Sequence, residues 1–290
     1  QTLIHNQEIN LPVSRPYSKY IQWLERNEGL ASAEFWQKYL DNYKNHINLF
    51  GSEKKEVDFN PGEHILVIDS KDLDILRKTA SDEKTTLNTL IQSVWAILLS
   101  RCCDLDDIVF GAVVSGRPAE IPLIETMVGL FINTIPVRIK VNNSKNFKEL
   151  IRDTQINAIE SEPHHYFPLS NILASHFLKQ DLINHILVFE NYPAIGSILN
   201  SMDDDKNNEI SFRIIKSEVV ERTNYDLVVS FIQRDELLIK LNYNKNVYSS
   251  ETITTLVSYM QKILDFIIQS PERIINDIEL IERKKLEFSA

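Results

Sequence analysis

Apolar residues fall along this chain in two patterns, some repeating every three or four positions and others running without a break. Tyr17, Tyr20, Ile21 and Leu24 recur at helical spacing, and Phe35, Tyr39 and Leu40 do so one segment later, which predicts two short amphipathic helices. Between Thr86 and Arg101, Leu87, Leu90, Ile91, Val94 and Leu98 form one stripe and further apolar residues nearly close the ring. That predicts a mostly buried central helix. Phe147–Ser161 reads as another helix, and so does the segment carrying Ile253, Leu256, Met260, Leu264 and Ile267, which Pro271 stops.

The unbroken and alternating runs predict strands. These are His64–Asp69, Ile108–Val114, Thr134–Val141, His185–Pro193, Phe212–Val219 and Leu227–Gln233, with a turn at Arg234-Asp235 leading into ELLIKLNYN. Ile108–Val114 is apolar throughout, as a strand covered on both faces must be, and it ends in the turn signal SGRP. Ser70 and Asp72 can open a helix through Leu76 to Ala80. Ala194–Glu209 has weak periodicity and an acidic cluster, as expected of a solvated loop. Strands and helices are interspersed, so the fold class is α/β, one mixed sheet with helices packed against it.

At 290 residues, 43% of them hydrophobic, the chain can bury a core without a disulfide or a metal. Its only cysteines, Cys102 and Cys103, are adjacent, which makes no disulfide framework and reads as two reduced, semi-buried thiols in a cytosolic protein. A net charge of −10 argues against nucleic acid or an anionic membrane as the main partner. No apolar run reaches the roughly 18 to 20 residues of a membrane span.

Candidate chemistry concentrates in a few places. PHHYFPLS holds adjacent histidines, His164 and His165, which could bind metal with His176 or His185. No HExxH or CxxC spacing accompanies them, and a position between prolines favours a structural helix-to-helix turn. Ser115 sits in a Ser-Gly turn without the G-x-S-x-G elbow of a nucleophile. Arg117 offers a bidentate fork for a phosphate or carboxylate, or is a surface arginine on a loop. Gly129 permits close backbone approach or a special dihedral, and Asn133 can hold loop backbone or face a channel. Trp23, Trp36 and Trp95 are most simply core. Glu190 ends a strand and reads either as an acid–base group or as a paired loop group.

MVGLFINTIPVR (Met127–Arg138) carries Val128, Gly129, Phe131, Asn133 and Thr134 and resembles the Val-Gly-x-Phe-x-Asn-Thr signature of condensation domains of non-ribosomal peptide synthetases. YSKYIQW resembles that family's Tyr-x-x-Tyr-x-x-Trp helix through Tyr17, Tyr20 and Trp23. VVSGRPAEIP, with Ser115, Gly116 and Arg117, resembles its preceding turn, ILVFENYP the strand of members joining two L-configured residues, and TNYDL a later strand start. PHHYFPLS is similar to a further family segment in which Pro168 is retained, Leu169 replaces Phe and Ser170 replaces Glu. The five faithful motifs occur in order and span nearly the whole chain.

The resemblance implies a chloramphenicol-acetyltransferase-like lobe that helps form peptide bonds between aminoacyl or peptidyl thioesters held on donor and acceptor carrier proteins. The family's catalytic word, His-His-x-x-x-Asp-Gly, occurs nowhere in the 290 residues. Hence the expectation is a C-terminal lobe only, with residues 1–16 a leading linker, 17–270 the lobe and 271–290 a linker toward another domain. The lobe would lack a catalytic residue and supply channel floor and carrier docking, with Ser115, Gly116, Arg117, Gly129 and Asn133 along the substrate channel. Tyr17, Tyr20, Trp23, Val128, Phe131, Thr134 and Pro168 would be structural. No cofactor or metal is expected on the chain itself, phosphopantetheine being carried by the carrier proteins. Implied partners are those carriers, an N-terminal condensation lobe and an adenylation domain, in the cytoplasm, with neither nucleic acid nor membrane involved. The alternatives are a non-catalytic carrier-binding lobe and a free-standing CoA-dependent acyltransferase.

Overall fold

The computed structural model describes residues 14–27, 29–49, 58–190 and 223–280. The strand expected at Phe212–Val219, the acidic stretch Ala194–Glu209 and residues Asn191 to Pro193 lie outside them, as do residues 1–13 and 281–290. Among the described residues, six strands form one sheet: β1 (Pro61–Ile68), β2 (Asp107–Val114), β3 (Asn133–Lys140), β4 (Ile186–Glu190), β5 (Leu227–Gln233) and β6 (Leu237–Asn244). Their order is β1-β6-β5-β4-β2-β3. The inner strands β2, β4 and β5 are mutually parallel, and the outer pairs β2/β3, β5/β6 and β6/β1 are antiparallel. The mixed sheet of the α/β class is therefore present. Pro136, which cannot donate to a ladder, falls on β3 at the sheet edge, opposite Gly111.

Helices cover the sheet on both faces. The larger core joins Phe110, Leu187, Val229 and Ile239 of the strands to α3 (Ser70–Asp82), α4 (Leu87–Cys103), α5 (Phe147–Ser161) and α7 (Ser250–Gln269). The alternating strand residues Val109, Ile135, Ile186 and Val228 face the other way, as pleating requires. They pack on Trp36 and Leu40 of α2 (Leu30–Tyr39) and its exit, and on Phe167 and Ile172 at α6 (Leu169–Ser175). A third, smaller cluster gathers α1 (Ser18–Arg26) against residues Ile121, Ile124, Met127 and Phe131.

Local signals explain the helix boundaries. Thr86 caps α4 by accepting from the Thr89 N–H, and Asn146 and Glu149 form a reciprocal capping box on α5. The cap of α3 is Asp69, one residue before the Ser70 expected to open it, because the Asp69 carboxylate accepts from the Asp72 N–H. All twelve residues from Thr89 to Ser100 of α4 are buried, so the nearly closed apolar ring marks a helix enclosed by protein on every side. The folded body runs past residue 270, where a linker was expected. Ile275 and Ile278 are buried in the larger core, and the Arg101 guanidinium donates to the Ile275 carbonyl. Cys102 and Cys103 are partly buried, and burial raises their thiols to about 12 and about 11, which keeps them protonated.

One buried polar pair spans the core. Trp95 Nε1–H donates to His185 Nε2 at 2.9 Å, so the ring proton sits on Nδ1, 2.6 Å from Asn184 Oδ1. Both rings are fully buried. Trp95→Phe leaves the imidazole nitrogen without its donor and opens a small cavity beside it. The expected cost is about 1 to 3 kcal/mol, read as a lower urea midpoint with an unchanged slope; an unaltered midpoint would show that the pair does not contribute.

Candidate functional site

The sequence-predicted residues converge at the C-terminal edge of β2, where β3 begins. Val114 at the end of β2 pairs with Asn133 at the start of β3, which brings the SGR turn against the end of the FIN stretch. Gly116 adopts φ +61°, and a Cβ there would overlap the Phe131 carbonyl oxygen. Only glycine satisfies both the left-handed backbone and the close approach. Gly129 meets the other requirement, since a Cβ would run into the Tyr17 ring.

Arg117 lies with its guanidinium carbon 4.0 Å from the centre of the Phe131 ring. The same guanidinium donates to the carbonyls of Ile124 and Met127. Its Nη1 thus holds loop backbone, the third option beside the phosphate or carboxylate and the free surface position that the sequence left open. Tyr17 donates its hydroxyl to the Leu130 carbonyl at 2.6 Å and meets Phe131 edge-on at 5.2 Å. Tyr20 is buried between Phe131 and Trp23, stacked on the latter, so the Tyr-x-x-Tyr-x-x-Trp helix is an aromatic anchor for the loop. Ser115 stands exposed at the turn, and Thr134 occupies the second position of β3, opposite Val113.

The two histidines are a wall of this region. Asn133 Nδ2 donates to the carbonyls of His165 and Phe167, both at 2.8 Å, so it fixes the PHHYFP turn to the start of β3. Pro168 then precedes the first residue of α6. Ser32 Oγ donates to the Tyr166 hydroxyl and lies 2.9 Å from His164 Nδ1, which places the His164 proton on that nitrogen. The His164 ring stacks on Phe35, and His165 Nε2 lies 3.2 Å from Ser161 Oγ. Burial, with a smaller push from His164, lowers the His165 imidazole to about 4. These contacts agree with the structural reading of the pair. Among the described residues, no group of three or more His, Cys, Asp or Glu side chains converges as a metal site. Nor is any helix there long and apolar enough to cross a membrane.

The sequence singled out Val128 of the loop's apolar rim only as a structural residue and passed over Leu130 and Ile132. Val128, Leu130 and Ile132 are 86%, 77% and 61% exposed, whereas their neighbours Met127 and Phe131 are buried. Val128, Gly129 and Leu130 are all exposed between buried Met127 and Phe131, and the run MVGLFI is apolar throughout, so no polar alternation marked the rim. With Arg117 and Asn133 bonded to backbone and His165 held neutral, this region contributes shape and apolar surface.

The condensation-domain family model matches residues 1–287. The chain belongs to the condensation-domain family. It is 37% identical over 280 residues to surfactin synthase subunit 3 of Bacillus subtilis (strain 168), covering 96% of this chain and 22% of the relative. It is 33% identical over 289 residues to gramicidin S synthase 2 of Brevibacillus brevis, covering 98% of this chain and 6% of the relative. The condensation-domain chain thus spans under a quarter of the length of either relative.

Solved structures show the same fold. The first condensation domain of the calcium-dependent antibiotic synthetase, in complex with a substrate analogue, matches with a TM-score of 0.73 at 14% identity, over 97% of this chain and 61% of that one. A four-domain nonribosomal peptide synthetase bound to AMP and glycine matches with a TM-score of 0.71 at 18% identity, over 89% and 20%. The chloramphenicol-acetyltransferase-like α/β architecture expected from the motifs is therefore present.

The histidines predict an acid limb. Burial lowers His165 to about 4 and His185 to about 3 from an ordinary 6.5, and it lowers His164 and His176 as well. The unfolded chain binds these protons first, so stability is full above pH 6.5 and falls as pH drops toward the folded values. Between pH 6.5 and 5 the stability read from the urea midpoint should decline, by up to about 1.4 kcal/mol per pH unit for each responding histidine. His165→Gln should flatten the decline; a midpoint constant across that window would refute it.

Proposed function

We propose that this chain forms part of a condensation site that joins aminoacyl or peptidyl thioesters held on donor and acceptor carrier proteins. The observation that carries this reading is the convergence of the SGR turn, the MVGLFINT loop and the Tyr-x-x-Tyr-x-x-Trp helix at one strand edge. That convergence presents three apolar side chains outward over a rigid backbone. In the reaction, the acceptor amine attacks the donor carbonyl carbon and a C–N bond forms. The C–S bond then breaks, and the proton lost by the amine ends on the departing thiol of the donor carrier.

Much of the rate comes from holding two tethered reactants in line, for which effective molarities of about 10⁵ M or more are attainable. On this reading Ser115, Gly116, Arg117, Gly129 and Asn133 shape the floor of the substrate channel. Arg117 and Asn133 do so through the carbonyls they bind, the two glycines through the close approaches they permit. The outer surface of the lobe docks the carriers, whose phosphopantetheine arms bring the thioesters in. A histidine outside these 290 residues, from the His-His-x-x-x-Asp-Gly word, orients or deprotonates the amine. Carrier proteins, an N-terminal condensation lobe and an adenylation domain are the proposed partners, in the cytoplasm.

The test is amide formation followed by intact mass on the acceptor carrier. These 290 residues by themselves should transfer no acyl group from a loaded donor carrier, and transfer should appear once a polypeptide carrying the histidine word is added. Transfer by the 290 residues alone would place the catalytic group within them and overturn the division of labour. Carrier binding with no transfer in either mixture would favour the non-catalytic alternative instead.

A further inference from the structure

β3 is an outer strand of the sheet, and among the described residues no strand lies on its far side. The bare backbone of such an edge can pair with an extended segment it meets, including the same edge of a second copy. Which backbone groups point outward follows from the bonds of Arg138. Its N–H and its carbonyl both turn away from β2, and the two-residue period of the strand adds Thr134, Pro136 and Lys140. Pro136 fits that assignment, because a residue with no N–H facing outward interrupts no bond to β2.

The outward positions toward the C-terminal end are closed in different ways. Pro136 is buried and has no donor to offer, and Lys140 places an exposed charge at the end of the strand. Arg138 is closed by one hydroxyl. Tyr39 Oη accepts from the Arg138 N–H at 2.8 Å and lies 3.4 Å from the Arg138 carbonyl, to which it donates. A neighbouring strand would supply one acceptor and one donor at this residue, and the hydroxyl supplies both. Burial pushes the Tyr39 hydroxyl up to about 12, so it stays protonated and keeps its donor.

The contact is held from the other side as well. Arg138 Nη1 donates to the carbonyls of Tyr39 and Asp41, at 2.9 and 2.8 Å, where α2 ends. Its Nε and Nη2 donate to the Asp107 carboxylate of β2, at 2.9 and 2.6 Å. Each of the two residues therefore holds the other's backbone, and Asp107 fixes the guanidinium between them. Packing alone does not call for a hydroxyl here. The Tyr39 ring stacks on Phe35 at 5.6 Å and meets Trp36 edge-on at 5.4 Å, contacts that a phenylalanine would keep.

We infer that Tyr39 is a plug in the free edge of the sheet. Its hydroxyl takes the place of a further strand at Arg138 and keeps β3 of a second copy from adding there. A second copy is the occupant excluded because every copy carries the same edge, and antiparallel pairing about a two-fold axis is self-complementary.

The experiment uses the full polypeptide that carries these residues. Tyr39→Phe keeps the ring and drops the hydroxyl, whereas the short side chain of Tyr39→Ser reaches neither group of Arg138. Hydrogen exchange at the Arg138 amide should quicken by about tenfold in Tyr39→Phe, as expected for one lost hydrogen bond, with the amides of β2 unchanged. In Tyr39→Ser, sedimentation velocity should show a dimer that grows with concentration beyond anything wild type forms, and exchange over residues 134–140 should slow in that dimer. Unchanged exchange at Arg138 in Tyr39→Phe would overturn the inference. So would a folded Tyr39→Ser that sediments as wild type, or a dimer that leaves residues 134–140 unprotected. Should Tyr39→Ser fail to melt cooperatively, the exchange at Arg138 in Tyr39→Phe decides the matter alone.

Discussion

β2 is a strand with no polar face. Ile108 and Phe110 face the layer of α3, α4, α5 and α7, while Val109 faces α2 and α6. A strand of this composition must be covered on both sides, and the rest of the architecture follows from how that cover is supplied. α4 lies against one face, itself enclosed along twelve residues, and needs α3, α5 and α7 around it. The opposite face is closed by Trp36, Leu40 and Phe167, which come from segments far apart in sequence. Antiparallel β3 pairs with β2 along its whole length, and parallel β4 meets it on the other side at Gly111 and Ala112.

The same constraint locates the site. Because β2 is locked along its length, its C-terminal end is a fixed point, and Ser115 to Arg117 leave it in a known direction. Asn133 stands opposite Val114 by register, so the two ends of the loop are pinned within a strand spacing of each other. Asn133 then reaches the carbonyls of the PHHYFP turn, and Tyr166 of that turn meets Trp23 of α1 edge-on at 4.8 Å. Three segments, α1, the 115–133 loop and the 163–168 turn, thereby become one rigid layer. Tyr17, Arg117 and Asn133 spend their polar groups on backbone carbonyls of that layer, while Val128, Leu130 and Ile132 face outward with the exposed Ser115.

Elements whose signal is local were legible in the sequence. α5 runs over the span its periodicity marks, from Phe147 to Ser161, because Asn146 and Glu149 cap it without help from the rest of the fold. β2, β3, β5 and β6 come within a residue or two of their apolar runs. The family motifs located the strand-end cluster, since Gly116, Gly129 and Asn133 each satisfy a backbone demand that few residue types can meet. Signals that depend on a distant partner were not legible. Ile275 and Ile278 look like part of a polar tail until Arg101 and the carbonyl of Lys145 are placed beside them. Arg117 carries no mark in the sequence that tells a carbonyl clamp from a phosphate ligand, because a guanidinium fork suits both.

The histidine pair shows where the boundary between those two kinds of signal lies. Adjacent imidazoles raise an acid–base expectation because their unperturbed range sits near neutral pH. That range holds only in water. Here Phe35 covers one ring, Ser161 and the turn enclose the other, and desolvation outweighs the weak hydrogen bonds that could have favoured a charged form. A histidine held near 4 is neutral at physiological pH and a poor base, so the pair contributes to the site as volume and as hydrogen-bonded walls. On the proposed reading, the loop it braces, and not the imidazole, is what this part of the chain would bring to a reaction between two tethered substrates. The rate of such a reaction depends on where the reactants are held at least as much as on which group takes the proton.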